Sequence, residues 1–122
     1  MKSVVLFTVT LIVSIFFTSM KSNAYADLDS ICLYIAEDDK TRLRKALRSN
    51  HVKIRKLFNE ITCNEMSLLQ FAIKRKSKTV GVFMVKKIPV SALNKSNILQ
   101  WVEDEGHQET DIAVAIMARI NG

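Results

Sequence analysis

Ser67-Leu68-Leu69-Gln70-Phe71-Ala72-Ile73, followed by Lys74-Arg75-Lys76-Ser77-Lys78 and then Thr79-Val80-Gly81-Val82-Phe83-Met84, decides how the chain folds. Ser67 and Gln70 stand in capping-box spacing, in which the hydroxyl accepts a backbone N–H of the first turn and the glutamine reaches back to the cap. Leu68, Leu69, Ala72 and Ile73 then recur at helical rather than alternating intervals, so one face of a helix is apolar. The five residues from Lys74 to Lys78 are too polar to continue that face and read as a basic turn. A second helix follows over Thr79 to Lys87, built around Val80, Phe83 and Met84, and stops before Pro89, which cannot donate a backbone hydrogen bond. The unit is a helix, a turn and a helix.

The same grammar extends in both directions. Upstream, Leu28 to Glu37 predicts a helix with Ile31, Cys32, Ile35 and Ala36 on one face. Asp38 and Asp39 end it and cap the next. Lys40 to Ser49 buries Leu43, Ala46 and Leu47, and Asn50 suits a left-handed stop. His51 to Ile61 places Ile54, Leu57, Phe58 and Ile61 at i, i+3, i+4 and i+7, which predicts a third helix. Downstream, Ser96 is expected to cap a helix carrying Ile98, Leu99 and Val102 inward and ending at Gly106. Ile112, Ala113, Ile116, Met117 and Ile120 form the apolar stripe of the last one. The fold class is therefore all-α: either stacked antiparallel helix pairs or a compact helical bundle.

The N-terminus reads as an export signal. Lys2 precedes the uncharged run Val4 to Phe17, which falls short of the roughly 20 residues needed to span a bilayer. Ala24-Tyr25-Ala26 supplies small residues at the positions a signal peptidase reads. Residues 1–26 are thus expected to be a signal peptide and 27–122 a single helical domain, periplasmic or secreted, of bacterial origin, with no transmembrane segment after cleavage. A domain this small is marginally stable alone. Cys32 and Cys63 are the only cysteines, and an oxidising compartment lets them pair. Closing a loop of about 30 residues stabilises by about 3–4 kcal/mol in the chain-entropy picture.

Three segments share the helix–turn–helix pattern. The first runs from Leu33-Tyr34-Ile35-Ala36 to Leu47, the second from Leu69 to Met84, and the third from Leu99-Gln100-Trp101-Val102 to Ile116. The central copy resembles an ankyrin repeat, whose first helix reads T-P-L-H-x-A-A: Ser67 takes the threonine position, Leu69 the leucine, Gln70 the histidine and Ala72 the first alanine. No copy holds the full tetrapeptide, and Val102 replaces an alanine. The resemblance implies stacked helix pairs of degenerate ankyrin-like form that bind other proteins. The chain also resembles a family of short exported bacterial proteins of unknown function, which share paired cysteines and a Cys-Asn-x-x-Ser-Leu-Leu-x-Phe-Ala stretch, here Cys63 to Ala72. That likeness implies no activity.

No phosphate-binding glycine loop, nucleophile elbow or metal-ligand spacing is present, and His51 and His107 fall in different units. The acidic clusters Asp38-Asp39 and Glu103-Asp104-Glu105 sit at helix ends, where capping and solvation account for them. Trp101, Phe71 and Met84 read as core. A non-catalytic domain without cofactor or metal is expected. Charge is the functional signal: residues 40–95 carry fifteen Lys or Arg against Glu60 and Glu65 alone. The candidate binding residues are Arg42, Arg44, Lys45, Arg48, Lys53, Arg55 and Lys56 in a run that begins at Lys40, with Lys74, Arg75, Lys76 and Lys78 as a second cluster. Such asymmetry points to an anionic partner. Two readings follow: a protein-interaction module for another exported protein, or a binder of anionic envelope surfaces, lipid or lipopolysaccharide. Export and the lack of a recognition motif exclude nucleic acid from the expectation.

Overall fold

The computed structural model describes residues 30–122, so the expected signal peptide and the start of the first helix at Leu28 lie outside the described residues. Those residues form α1 (Ile31–Ala36), α2 (Lys40–Ser49), α3 (Ile54–Glu60), α4 (Leu68–Lys74), α5 (Lys78–Lys87), α6 (Val90–Lys95), α7 (Ile98–Asp104) and α8 (Asp111–Asn121), with no strand among them. Three helix pairs, α1/α2, α4/α5 and α7/α8, stack side by side. Helix α1 packs on α4, while α2, α5 and α8 form a second row with α5 in the middle. Helices α3 and α6 lie between the pairs, α3 against α5 and α6 against α7 and α8. The all-helical class and the helix pairing agree with the sequence. One hydrophobic cluster runs through all three pairs, from Ile31 and Ile35 through Leu68, Leu69, Val80 and Met84 to Ile98 and Ile116.

The repeat is legible in the turns. Each pair bends at one left-handed residue: Asp38 (φ 55°), Lys76 (φ 59°) and Gly106 (φ 74°). In each, that residue's N–H donates to the carbonyl three positions back, at Ile35, Ile73 and Glu103. The next N–H donates five positions back, from Asp39 to Tyr34, Ser77 to Ala72 and His107 to Val102. These are the paired bonds that satisfy the last carbonyls of a helix. Aligning the turns makes Ile31, Leu69 and Leu99 equivalent, which corrects the expected alignment on Leu33. Leu33 is 51% exposed, whereas Ile31 is fully buried.

Other expectations shift for identifiable reasons. The left-handed stop of α2 falls at His51 (φ 54°) rather than Asn50, whose own side-chain amide donates to the Ala46 carbonyl at 2.8 Å and holds it in the last turn. Helix α3 begins at Ile54, not His51, because Lys53 is extended. Ser96 does not cap α7: its hydroxyl donates back to the Leu93 carbonyl at 2.7 Å, closing α6, and Asn97 occupies the start of α7 in left-handed conformation. Helix α6 itself, with Leu93 as its one buried residue, offers too short a pattern to be anticipated. Met117 is 40% exposed and leaves the stripe of α8, which keeps Ile112, Ala113 and Ile116 buried and Ile120 partly buried against the core.

Cys32 and Cys63 are disulfide-bonded, with Cα atoms 5.7 Å apart, joining α1 to the segment that enters α4. That segment turns tightly: Cys63 and Met66 exchange both backbone hydrogen bonds, at 2.8 and 2.9 Å, across Asn64 and Glu65, both left-handed. Ser67 then opens α4 with the capping box read from the sequence. Gln70 N–H donates to Ser67 Oγ at 3.1 Å, and Ser67 N–H to Gln70 Oε1 at 3.0 Å. Helix α5 is fixed from outside. At its start the Asp38 carboxylate accepts the N–H groups of Thr79 and Val80 at 3.3 and 2.7 Å. At its end the Arg119 guanidinium donates to the carbonyls of Val85 and Ile88, both at 3.1 Å. An acid at the positive end and a base at the negative end also complement the helix dipole.

Candidate functional site

Helix α2 sets the site's frame. Asp39 caps it, accepting the Arg42 N–H at 3.0 Å, and Leu43, Ala46 and Leu47 are buried, so its cations are divided between two flanks of the apolar stripe. Lys40, Arg44 and Arg48 are four residues apart and occupy one flank on successive turns, about 6 Å apart along the axis. This flank faces α5, where the half-buried Phe83 ring receives Lys40 Nζ at 5.9 Å, Arg44 Cζ at 6.0 Å and Lys87 Nζ at 5.8 Å from its centroid. Each contact of this kind is worth about 0.5–1 kcal/mol at an exposed ring.

Beside the ring lies a cleft of about 280 Å³, floored by Leu47, Val52, Ile54 and Phe83 and rimmed by Lys53, Arg55 and Lys87. The extended entry to α3 builds its far wall. Burial of Ile54 turns Arg55 outward. A neighbouring recess of about 520 Å³ adds Arg48 and His51 while sharing Leu47, Val52 and Lys53 as lining residues. None of Lys40, Arg44, Arg48, Lys53, Arg55 and Lys87 forms an ion pair among the described residues. Lys53, Arg55 and Lys87 line the cleft, Arg48 the recess next to it, and Lys40 and Arg44 reach the Phe83 ring. Like charges this close repel one another, and an anion relieves that repulsion on binding.

The remaining cations named from the sequence are placed elsewhere. Arg42 and Lys45 line a separate recess with Tyr34 and Ser49 on the opposite flank of α2, and Arg42 Nε lies 3.5 Å from Asp39 Oδ2. Lys56 is paired with Glu60 at 3.6 Å. The second cluster meets the acidic third unit: Lys74 Nζ is 3.9 Å from Glu105 and Lys78 Nζ is 3.5 Å from Asp111. Lys76 shares a cleft with Glu109 and Asp111, and Arg75 lies over the Phe71 ring at 6.0 Å. The structure thus places Arg48, Lys53 and Arg55 along the adjoining recesses, brings Arg44 to the Phe83 ring at their edge, and separates the rest. Sequence reasoning missed Phe83, read as core, and Lys87, because both reach the site only through the packing of α5 on α2. Trp101 is partly buried against the core and stacks on His107 at 5.3 Å between ring centroids. No helix of the described residues is long and apolar enough to cross a membrane.

No curated protein and no solved structure matches the chain. Residues 31–95 match a family described as "Protein of unknown function (DUF3718)". That span runs from the first residue of α1 to the last of α6, and it contains the disulfide, the capping box of α4, Phe83 and the six cations of this surface. The first two helix pairs and the basic surface lie within the matched region, the third pair lies beyond it, and the chain belongs to the DUF3718 family.

Proposed function

We propose that the protein is an exported, non-catalytic interaction domain that binds an anionic partner in the cell envelope through the surface around Phe83. One observation carries the reading: six cations with no carboxylate partner among the described residues share this surface, while the neighbouring basic turn has acids of its own. Lys40, Arg44 and Lys87 lie over the Phe83 ring, and Arg48, Lys53, Arg55 and Lys87 along the recesses beside it. The acidic side chains support a non-catalytic role, since Asp38 and Asp39 are engaged as helix caps and Glu105 and Asp111 in ion pairs. The disulfide supports export, because such bonds persist in oxidising compartments.

A second reading, direct attachment to anionic lipid or lipopolysaccharide, draws on the same unpaired cations. One experiment addresses both. The oxidised protein and an Arg44→Glu/Arg48→Glu/Arg55→Glu variant are used to capture ligands from envelope extract at low and high salt, with glycolipid vesicles in parallel. A discrete protein retained by the wild type and lost by the variant supports the interaction module. Salt-labile vesicle binding alone supports the lipid reading. Capture undiminished by the triple reversal rejects the basic surface altogether.

A further inference from the structure

We infer that the occupant of the Phe83 cleft is an acidic peptide segment of a partner protein, lying along α2 in helical form and inserting one apolar side chain. This rests on the basic surface being the binding surface and names what that surface accepts. Lys40, Arg44 and Arg48 make a column with the rise of two helical turns, about 12 Å. Carboxylates at i, i+4 and i+8 of a helix laid alongside have the same spacing, and arginine forks match carboxylates in two-bond geometry. A single small anion has no such length. Lys40, Arg44 and Lys87 lie over the ring at about 6 Å from its centroid, and Lys87 also lines the cleft with Lys53 and Arg55.

The apolar part of the site discriminates further. Peripheral membrane proteins push apolar side chains outward into the bilayer boundary. Here the apolar groups are recessed: Leu47 and Ile54 are buried and Phe83 half-buried, forming a floor. The exposed large apolar residues, Leu33, Val114 and Met117, belong to α1 and α8 and not to this surface. A ligand therefore has to bring its own apolar group, held between its charges, which an amphipathic acidic helix does.

The test is selection from a random short-peptide library on the oxidised protein, followed by anisotropy titration of the recovered peptides. The titrations compare wild type, Arg44→Glu/Lys87→Glu and Arg42→Glu, with thermal melts confirming that each variant is folded. Vesicles containing phosphatidylglycerol and inorganic phosphate are titrated alongside. The expected winners carry Asp or Glu at three- or four-residue spacing around an apolar residue. They are expected to lose about tenfold or more in affinity to the double reversal and little to Arg42→Glu, which lies on the other flank. Winners without acidic residues, winners indifferent to the double reversal, or an empty selection overturns the inference. Vesicle or phosphate binding lost in the double reversal, with no peptide recovered, overturns it while leaving the basic surface as the binding site. Absence of all binding removes both.

Discussion

Helix α4 opens on its own residues, the Ser67 hydroxyl and the Gln70 side chain each satisfying a backbone N–H within one turn. Helix α5, three residues further on, has a serine at the same position, yet the Ser77 hydroxyl is buried without a partner and the helix start is capped by Asp38, from the turn of the first unit. Its far end is satisfied by Arg119 of the third unit. One helix of the central pair is specified locally and the other by its neighbours. Helix α5 is therefore complete only when all three units are docked, and so is the cleft that Phe83 and Lys87 help to form. Stability and site are coupled through this one helix.

Breaking the tie that holds α4's entry should have the largest effect. Reduction of Cys32–Cys63, or replacement of both cysteines by serine, is expected to lower stability by about 3–4 kcal/mol through the loop it opens. Urea titration with and without reductant measures it. A loss below about 1 kcal/mol would mean that the capping box and the Cys63–Met66 turn position α4 without covalent help.

Asp38→Ala removes a charge-assisted cap from two N–H groups of α5 at once, and is expected to cost about 2 kcal/mol. Asp38→Asn keeps an acceptor and tolerates the left-handed backbone, so it should recover more than half of that. If alanine costs less than about 0.5 kcal/mol, Ser77 takes over the cap and the contrast between α4 and α5 dissolves. A side-effect sharpens the test: Asp38→Ala should weaken binding at the Phe83 surface only as far as it unfolds α5.

Gly81→Ala probes the opposite side of α5. A methyl group there falls inside contact distance of Ile112 Cδ1 and Cγ1 on α8. Overpacking of about 1–3 kcal/mol exceeds the gain of up to about 1 kcal/mol from replacing glycine in a helix, so a net loss of about 1 kcal/mol is expected. Ile112→Val removes Cδ1, and in that background Gly81→Ala should cost less. Additive losses in the double mutant would place the strain elsewhere.

How much of this was legible follows the same division. Helix α2 was read at both ends, Lys40–Ser49, because its cap at Asp39 and its buried stripe are local. The capping box of α4 and the stop of α5 before Pro89 were legible for the same reason. The His51 stop was not, since the amide that holds Asn50 in the helix is a matter of rotamer rather than residue type. In the site, the run from Lys40 to Lys56 announced its charge but not its direction. Helical spacing alone separates Lys40, Arg44 and Arg48 from Arg42 and Lys45, yet which flank meets α5 depends on packing. Lys74 and Lys78 looked as available as Arg44 until the third unit brought Glu105 and Asp111 against them.

The smallest predicted effect separates the two helix starts most directly. Ser67→Ala loses a cap whose hydroxyl accepts a real hydrogen bond, and should cost about 1 kcal/mol. Ser77→Ala, at the corresponding position of α5, deletes a buried hydroxyl that has no hydrogen-bond partner. Removing an unsatisfied buried polar group relieves its desolvation, so the change should be neutral or stabilising by a few tenths of a kcal/mol. Urea midpoints at equal slope resolve the difference. Equal losses at the two serines would show that Ser77 caps α5 in solution and that Asp38 is an accessory. A loss at Ser67 alone keeps the local and the borrowed cap distinct, and with them the dependence of the Phe83 surface on the docking of the first unit.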